Sequence, residues 1–215
     1  MSTALIVFAK APVAGRAKTR MVPALGEQGA ADFAQQLLLH AVQQALQTPF
    51  DPLTLCVTPD ASHSACVQAQ ALSSGRLHLS SQGEGDLGQR MHRALENALR
   101  HSASVLLMGS DAPGLSAGRL AEAAQALRRH DAVFIPAHDG GYALVGLRRP
   151  APGLFHNMRW STAQVMADTR NRARDAGLIW QELAPVHDMD EPADLRHLPP
   201  DWPGRPLLLN ALPSP

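Results

Sequence analysis

Leu5-Ile6-Val7-Phe8-Ala9-Lys10-Ala11-Pro12-Val13-Ala14-Gly15-Arg16-Ala17-Lys18-Thr19-Arg20 is the stretch on which the reading of this chain turns. Leu5 to Ala9 is apolar at every position, the pattern of a strand covered on both faces. From Lys10 to Arg20 the chain then carries four basic residues, one glycine and one proline in eleven positions. Glycine lets backbone N–H groups approach an anion, and Lys and Arg bring charge, so the loop suits a di- or triphosphate. It is not a P-loop: that motif needs glycine directly before Lys-Thr and again five residues earlier, where this chain has Ala17 and Pro12. A solvated basic loop would look the same in isolation, and the rest of the chain has to decide.

The same alternation of buried strand and helix continues. Strands are predicted at Leu5–Ala9, Leu53–Val57, Leu77–Leu79, Val105–Met108, Ala132–Ile135, Ala143–Leu147 and Leu178–Leu183. Ala30, Phe33, Ala34, Leu37, Leu38, Ala41 and Ala45 recur at helical spacing and predict a helix over about 29–47. Further helices are predicted near 87–100, 116–129, 162–176 and 191–197, with Ser116 as one N-cap and a Ser161/Gln164 capping box as another. The fold class is therefore α/β: one three-layer α/β/α domain over residues 1–198 with a mostly parallel sheet. A proline-rich tail over 199–215 is expected to be extended and to pack on the domain or run off it.

Composition narrows the partners. Lys+Arg and Asp+Glu are equal at 19 each, which gives no general field for nucleic acid or an acidic membrane. Any anion has to be held by a local basic cluster. The leading apolar run is too short to span a bilayer and lacks the flanks of a signal peptide. Two cysteines, Cys56 and Cys66, form no CxxC pair, and a reducing, cytoplasmic setting is expected.

Chemistry-bearing residues cluster where strands end. Met108-Gly109-Ser110-Asp111-Ala112-Pro113 follows a predicted strand, and Asp111 is placed to hold Mg²⁺, which takes one or two carboxylates together with substrate phosphates. An Asx turn before proline would use the same residue. Near the end lies His187-Asp188-Met189-Asp190-Glu191-Pro192, where Asp190 is a second candidate ligand, a helix N-cap, or both, with Asp188 as its competitor. Gln82-Gly83-Glu84-Gly85-Asp86-Leu87-Gly88-Gln89-Arg90 sets three glycines ahead of a helix, a form that admits a base or ribose and also an ordinary connection. Asp139-Gly140-Gly141-Tyr142 reads first as a hairpin turn and second as a pocket wall. Trp160 is either part of that wall or a buried residue ahead of a helix. No Gly-x-Ser-x-Gly elbow and no zinc spacing among the histidines is present.

Five segments in order, AKAPVAGRAKTR, QGEGDLGQRM, GSDAPGL, PAHDGGYALVGL and DMDEPADL, resemble a family of bacterial GT-A-like proteins, domain of unknown function 2064. They span residues 9 to 195, nearly the whole chain. The family falls in the nucleotide-diphospho-sugar transferase superfamily; its members are labelled glycosyltransferases, some tied to arsenosugar biosynthesis. It is also similar to the phospholactate and molybdenum-cofactor guanylyltransferases. The resemblance implies a GT-A/Rossmann-like mixed sheet, Mg²⁺ (or Mn²⁺) on Asp111 and Asp190, and catalytic roles for Asp111, Lys18 and, as a base, Asp139. It further implies nucleotide or phosphate contacts from Lys10, Gly15, Arg16, Lys18, Arg20, Gly85, Asp86 and Arg90, and acceptor contacts from Gly140, Gly141, Tyr142 and Trp160. The first loop, with Pro12 and only Gly15, is poorer in glycine than in the nucleotidyltransferases, which favours an NDP-sugar donor. The expected activity is a Mg-dependent glycosyl transfer from a nucleotide-linked donor to a small-molecule acceptor. The alternatives are nucleotidyl transfer with release of pyrophosphate, and nucleotide binding without catalysis.

Overall fold

The computed structural model describes residues 2–211, so the end of the expected tail, 212–215, lies outside the described residues. Seven strands form one sheet: β1 (Thr3–Lys10), β2 (Leu53–Thr58), β3 (Leu77–Ser81), β4 (Ser104–Gly109), β5 (Ala132–Pro136), β6 (Tyr142–Leu147) and β7 (Trp180–Glu182). Their order is β3-β2-β1-β4-β6-β5-β7. β3, β2, β1 and β4 pair in parallel, β6 runs antiparallel to both β4 and β5, and β7 is parallel to β5. The sheet is thus mixed and mostly parallel, and each of the seven expected strands is present.

The helices are α1 (Val22–Leu46), α2 (Ser64–Ala71), α3 (Leu87–Leu99), α4 (Ala117–Ala126), α5 (Val165–Asp175) and α6 (Arg205–Asn210). Alternate residues of β1 feed two cores. Leu5, Val7 and Ala9 pack with Leu38 and Val42 of α1, Cys66 of α2 and Leu120 of α4. Ala4 and Ile6 pack on the opposite face with Met91 and Leu95 of α3 and Met166 of α5. That two-sided cover is the physical reason the strand carries no polar alternation. A third cluster, Met21, Phe33, Leu37, Met189, Leu195, Leu198 and Trp202, joins α1 to the C-terminal segment.

Four local expectations need correction. The helix expected from 162 begins at Val165, and no Ser161/Gln164 box forms: Ser161 lies at φ 60° and Gln164 makes no side-chain cap. The first turn is tied instead to the β5–β6 hairpin, through Met166 N–H donating to the Gly140 carbonyl. The 191–197 segment is a 3₁₀ turn over Pro192–His197, and its cap is Glu191 in a reciprocal box with Asp194, not Asp190. The C-terminal segment is not extended: it buries Trp202, 5% exposed, and then forms α6. Helix α2 has no counterpart in the expected set. Ser116 does cap α4, accepting from the Arg119 N–H.

Candidate active site

β1 is flanked by β2 on one side and β4 on the other, so the chain's path across the sheet reverses between β1 and β4. Loops leave that point in opposite directions and open a crevice at the carboxyl ends of the strands, the usual ligand position in an α/β sheet. Phe8 pairs with Gly109, so the Lys10 loop and Asp111 start from adjacent strand ends.

The basic loop folds on itself. Gly15 takes φ +72°, and Lys10 Nζ donates to the Arg16 carbonyl at 2.6 Å, latching the loop's far side to the end of β1. Lys18 sits in the left-handed region, φ 47° and ψ 46°, just before the 3₁₀ turn Thr19–Met21. From there its ammonium reaches two carboxylates: Asp111 Oδ2 at 2.9 Å and Asp190 Oδ1 at 2.8 Å. The lysine side chain is 7% exposed, while the two aspartates are 50% and 43% exposed. Burial works against the ammonium, but Asp111 and Asp190 outweigh it and hold the Lys18 amine above its ordinary value.

Asp190 reaches this point because its neighbour is anchored. Met189 is fully buried in the third cluster, and its N–H donates to the Asp111 carbonyl at 2.9 Å, stitching the late loop to the end of β4. Asp194 Oδ2 accepts from the N–H groups of both Asp190 (3.0 Å) and Glu191 (2.7 Å). The Asp190 carboxylate is therefore not spent on capping. Asp188 is not part of the Lys18 pair. It lines a depression of about 160 Å³ with Asp111, Asp139 and Asp190, and burial, reinforced by Asp139 and Asp190, pushes its carboxyl up to about 6.

Two clefts meet over Phe8 and Leu87, which line both. One, about 680 Å³, is walled by Lys10, Arg16, Gln82 and Arg90 and has apolar sides from Ala11, Val13 and Pro59. The other, about 530 Å³, has an apolar floor of Phe8, Leu87, Met91, Leu107 and Tyr142 with Trp160, and a rim of Asp111, Asp139, Asp190 and Arg20. Burial pushes the Tyr142 phenol up, so the ring stays neutral and presents an O–H. Tyr142 and Trp160 meet edge to face with centroids 6.4 Å apart.

Of the residues singled out in the sequence, Lys10, Arg16 and Arg90 face the first cleft, and Asp111, Asp139, Asp190, Arg20, Gly141, Tyr142 and Trp160 face the second. Gly15, Lys18, Gly85, Asp86 and Gly140 line neither, Lys18 being spent on Asp111 and Asp190. Asp86 is the N-cap of α3 in a box with Gln89, which satisfies that helix start from within the chain. Gly140, at φ +93°, is there because a Cβ would run into the Ala163 carbonyl oxygen and lie 2.6 Å from the Ala163 Cα. Arg20 leans on Glu191 at 3.6 Å.

Gln82 and Arg93 were not anticipated. Gln82 is 3% exposed; its amide donates to the carbonyls of Ala9 (2.8 Å) and Cys56 (3.2 Å) and accepts from Arg90 Nη1 (3.0 Å). Arg93 donates to the Gln82 and Glu84 carbonyls at 2.6 Å. The spacing of Arg90 and Arg93, one helical turn apart beyond a glycine-rich loop, was the available signal.

Among the described residues no group of three or more His, Cys, Asp or Glu side chains converges to hold a metal. The fit to a divalent ion rests on a different observation: two carboxylates already share one cation, the Lys18 ammonium. Two oxygen ligands with the remaining positions left to water and phosphate is the usual way proteins hold Mg²⁺. No helix among the described residues is long and apolar enough to cross a membrane.

Similarity to known proteins bears on the fold and the family. No curated protein matches the chain. A solved structure from Desulfovibrio desulfuricans G20, named provisionally as a nucleotide-diphospho-sugar transferase, is 29% identical with TM-score 0.85, covering 98% of this chain and 95% of that one. A CMP:2-keto-3-deoxy-manno-octonic acid synthetase complexed with CTP is 12% identical with TM-score 0.59, covering 99% and 100%. Rv0371c of Mycobacterium tuberculosis H37Rv in complex with manganese is 20% identical with TM-score 0.54, covering 92% and 98%. The fold is that of the nucleotide-diphospho-sugar transferases and nucleotidyltransferases. A family profile matches residues 38–162, more than half of the chain, and this protein belongs to that family, the uncharacterized proteins conserved in bacteria grouped as DUF2064.

Proposed function

We propose that this protein is a divalent-metal-dependent glycosyltransferase that takes an NDP-sugar as donor and a hydroxyl-bearing small molecule without phosphate as acceptor. The observation that carries the reading is the division of labour between the two clefts. Lys10, Arg16 and Arg90 wall one of them, a setting for the nucleoside diphosphate. The other meets it at Phe8 and carries Asp111, Asp139 and Asp190 against the single cation Arg20. With a divalent ion on Asp111 and Asp190, Asp139 is the carboxylate left over, placed to take the proton of a hydroxyl; the attacking phosphate oxygen of nucleotidyl transfer is already ionised and has no use for such a base. A hydroxyl acceptor on an apolar body suits this cleft: Tyr142 and Trp160 offer faces to pack against, and the Tyr142 O–H offers a hydrogen bond.

In this reading Arg16 and Lys10 draw the diphosphate to the end of β1, and Gln82 holds Arg90 in place beside it. A divalent ion on Asp111 and Asp190 would supply neutralisation of the charge that builds on the departing diphosphate. Asp139, held by the Gly141 N–H at 2.8 Å, accepts the proton of the attacking hydroxyl. The bond from the anomeric carbon to the diphosphate oxygen breaks, its electron pair leaves with the NDP, and a new bond to the acceptor oxygen forms. The buried free cysteines Cys56 and Cys66 suit a cytoplasmic setting for such an enzyme.

The test is product analysis with Mn²⁺, a panel of NDP-sugars and NTPs, and paired acceptors that differ by a phosphate. Free NDP with the unphosphorylated acceptor is the expected product. Pyrophosphate released from an NTP with the phosphorylated partner would assign the chain to nucleotidyl transfer instead, and binding without turnover would leave it a nucleotide-binding protein.

A further inference from the structure

Resting on the metal-dependent reading, we infer that Lys18 is a built-in stand-in cation that keeps divalent metal off Asp111 and Asp190 until a diphosphate is present to receive its ammonium. Three observations point this way. The ammonium contacts one oxygen of each carboxylate at 2.8–2.9 Å, so it takes up the ground between the two groups proposed to share a metal. Lys18 is nearly enclosed, yet the carboxylates are about half exposed, which means the cation and not the anions was brought in from solvent. Its approach is fixed by a left-handed backbone at a residue that is not glycine, directly before a 3₁₀ turn. Among the described residues Asp111 and Asp190 have no other ion-pair partner; the neighbouring Arg20 is turned to Glu191.

The consequence is a linkage. A divalent ion that takes both carboxylates evicts the ammonium, and a nearly buried ammonium without a partner is costly. Without nucleotide, no other carboxylate among the described residues pairs with Lys18. With a diphosphate seated against Arg16 and Lys10, on the same loop, the lysine gains a new anionic partner. Metal and donor then each raise the affinity for the other, as any coupling between two sites must be reciprocal. The arrangement also sets one positive charge between two facing carboxylates, which offsets part of their mutual repulsion in the resting protein.

The experiment measures Mn²⁺ uptake by the full chain without nucleotide, by the loss of the free-ion EPR signal, in wild type, Lys18→Met, Lys18→Gln and the double variant Lys18→Met/Asp111→Asn. Circular dichroism and thermal unfolding check each fold, and the Gln variant serves if Met does not fold. Removing one positive charge this close to both carboxylates is expected to tighten Mn²⁺ binding by roughly tenfold or more. The double variant is expected to lose that gain. Mn²⁺ is also expected to raise the melting temperature of Lys18→Met more than that of wild type. Equal Mn²⁺ affinity in wild type and folded Lys18 variants, or weaker affinity in the variants, overturns the inference and leaves the metal-dependent reading standing. No Mn²⁺ uptake by any folded protein without nucleotide overturns the inference, and no uptake when nucleoside diphosphates are added as well overturns both.

Discussion

Gln82→Leu is the substitution that separates a positioned site from a merely basic surface. Leucine keeps most of the volume and removes every polar contact of a side chain that is 3% exposed. Two neutral hydrogen bonds are lost, to the Ala9 and Cys56 carbonyls, each worth about 1 kcal/mol net, and one charged bond from Arg90, worth about 2 kcal/mol. The expected cost is about 4 kcal/mol, because the carbonyls stay buried and an apolar side chain gives water no place to rescue them. For a chain of this size each kcal/mol moves the melting temperature by about 2–4 °C, so a fall of about 8–16 °C is expected in calorimetry. Arg90 should also lose its hold beside the first cleft. Calorimetric titration of the nucleotide with Gln82→Leu, Arg90→Ala and the double variant would then show strongly non-additive losses, a coupling of about 1 kcal/mol or more. A melting shift under about 4 °C, or additive losses in the double variant, would refute the claim that Gln82 couples the ends of β1 and β2 to Arg90.

The remaining expectations are narrower. Gly140→Ala is expected to cost at least about 2 kcal/mol, because a Cβ meets the Ala163 backbone and the residue lies at φ +93°, whereas Gly153→Ala, with open space around its Cβ, should be near neutral; denaturation in urea compares them. Burial, and then the stacked rings of His138 and His197 at 4.0 and 3.7 Å, hold His187 below its ordinary 6.5 despite Asp194. A folded-state value depressed below the unfolded one means the unfolded chain binds the extra proton, so this stability is present above pH 6.5 and is lost as pH falls below it; His187→Gln should flatten the decline of melting temperature between pH 7 and 5.5. Trp202→Ala empties a site shared with Phe33, His40 and Met189 and should destabilise the protein by about 3–5 kcal/mol; it should also weaken Mn²⁺ uptake, although Trp202 lines neither cleft.

Much of the fold was legible because its signals are local and mutually consistent. Each expected strand is a short apolar run closed by a turn, and the sheet buries both faces of β1, so Leu5-Ile6-Val7-Phe8 could be read without any partner in view. α2 was missed for a physical reason. Ser64–Ala71 is short, and Ala65, Cys66 and Ala69 are its only buried side chains, too few to give a stripe against exposed Val67 and polar neighbours. The C-terminal segment misled in the opposite way. Its prolines suggest an extended chain, yet Pro206 falls within the first turn of α6, where a missing N–H costs nothing, and Trp202 supplies the burial that fixes the segment. A large aromatic outweighed the composition around it.

The site divides along the same line between local and tertiary causes. Asp111 could be placed from the chain alone, since a carboxylate just past a buried strand of an α/β sheet has nowhere to go but the crevice. Asp190 could not be separated from its neighbours, because Asp188, Asp190 and Glu191 all precede Pro192 and all have capping chemistry. What separates them is a long-range fact. Met189 is drawn into the cluster with Phe33, Leu195 and Trp202, and a buried residue at that position turns the backbone so that its N–H meets the Asp111 carbonyl. Asp194 then takes the N–H groups of Asp190 and Glu191 together, Glu191 becomes the cap, and the Asp190 carboxylate is left to face Lys18 across a sequence separation of 172 residues. Which carboxylate is offered to Lys18 is therefore decided by which apolar side chain the C-terminal core accepts. The same cause makes the pairing all-or-none: shift the register of this loop by one residue and Met189 or Glu191 is offered in place of Asp190, and the Met189 stitch to the end of β4 is lost.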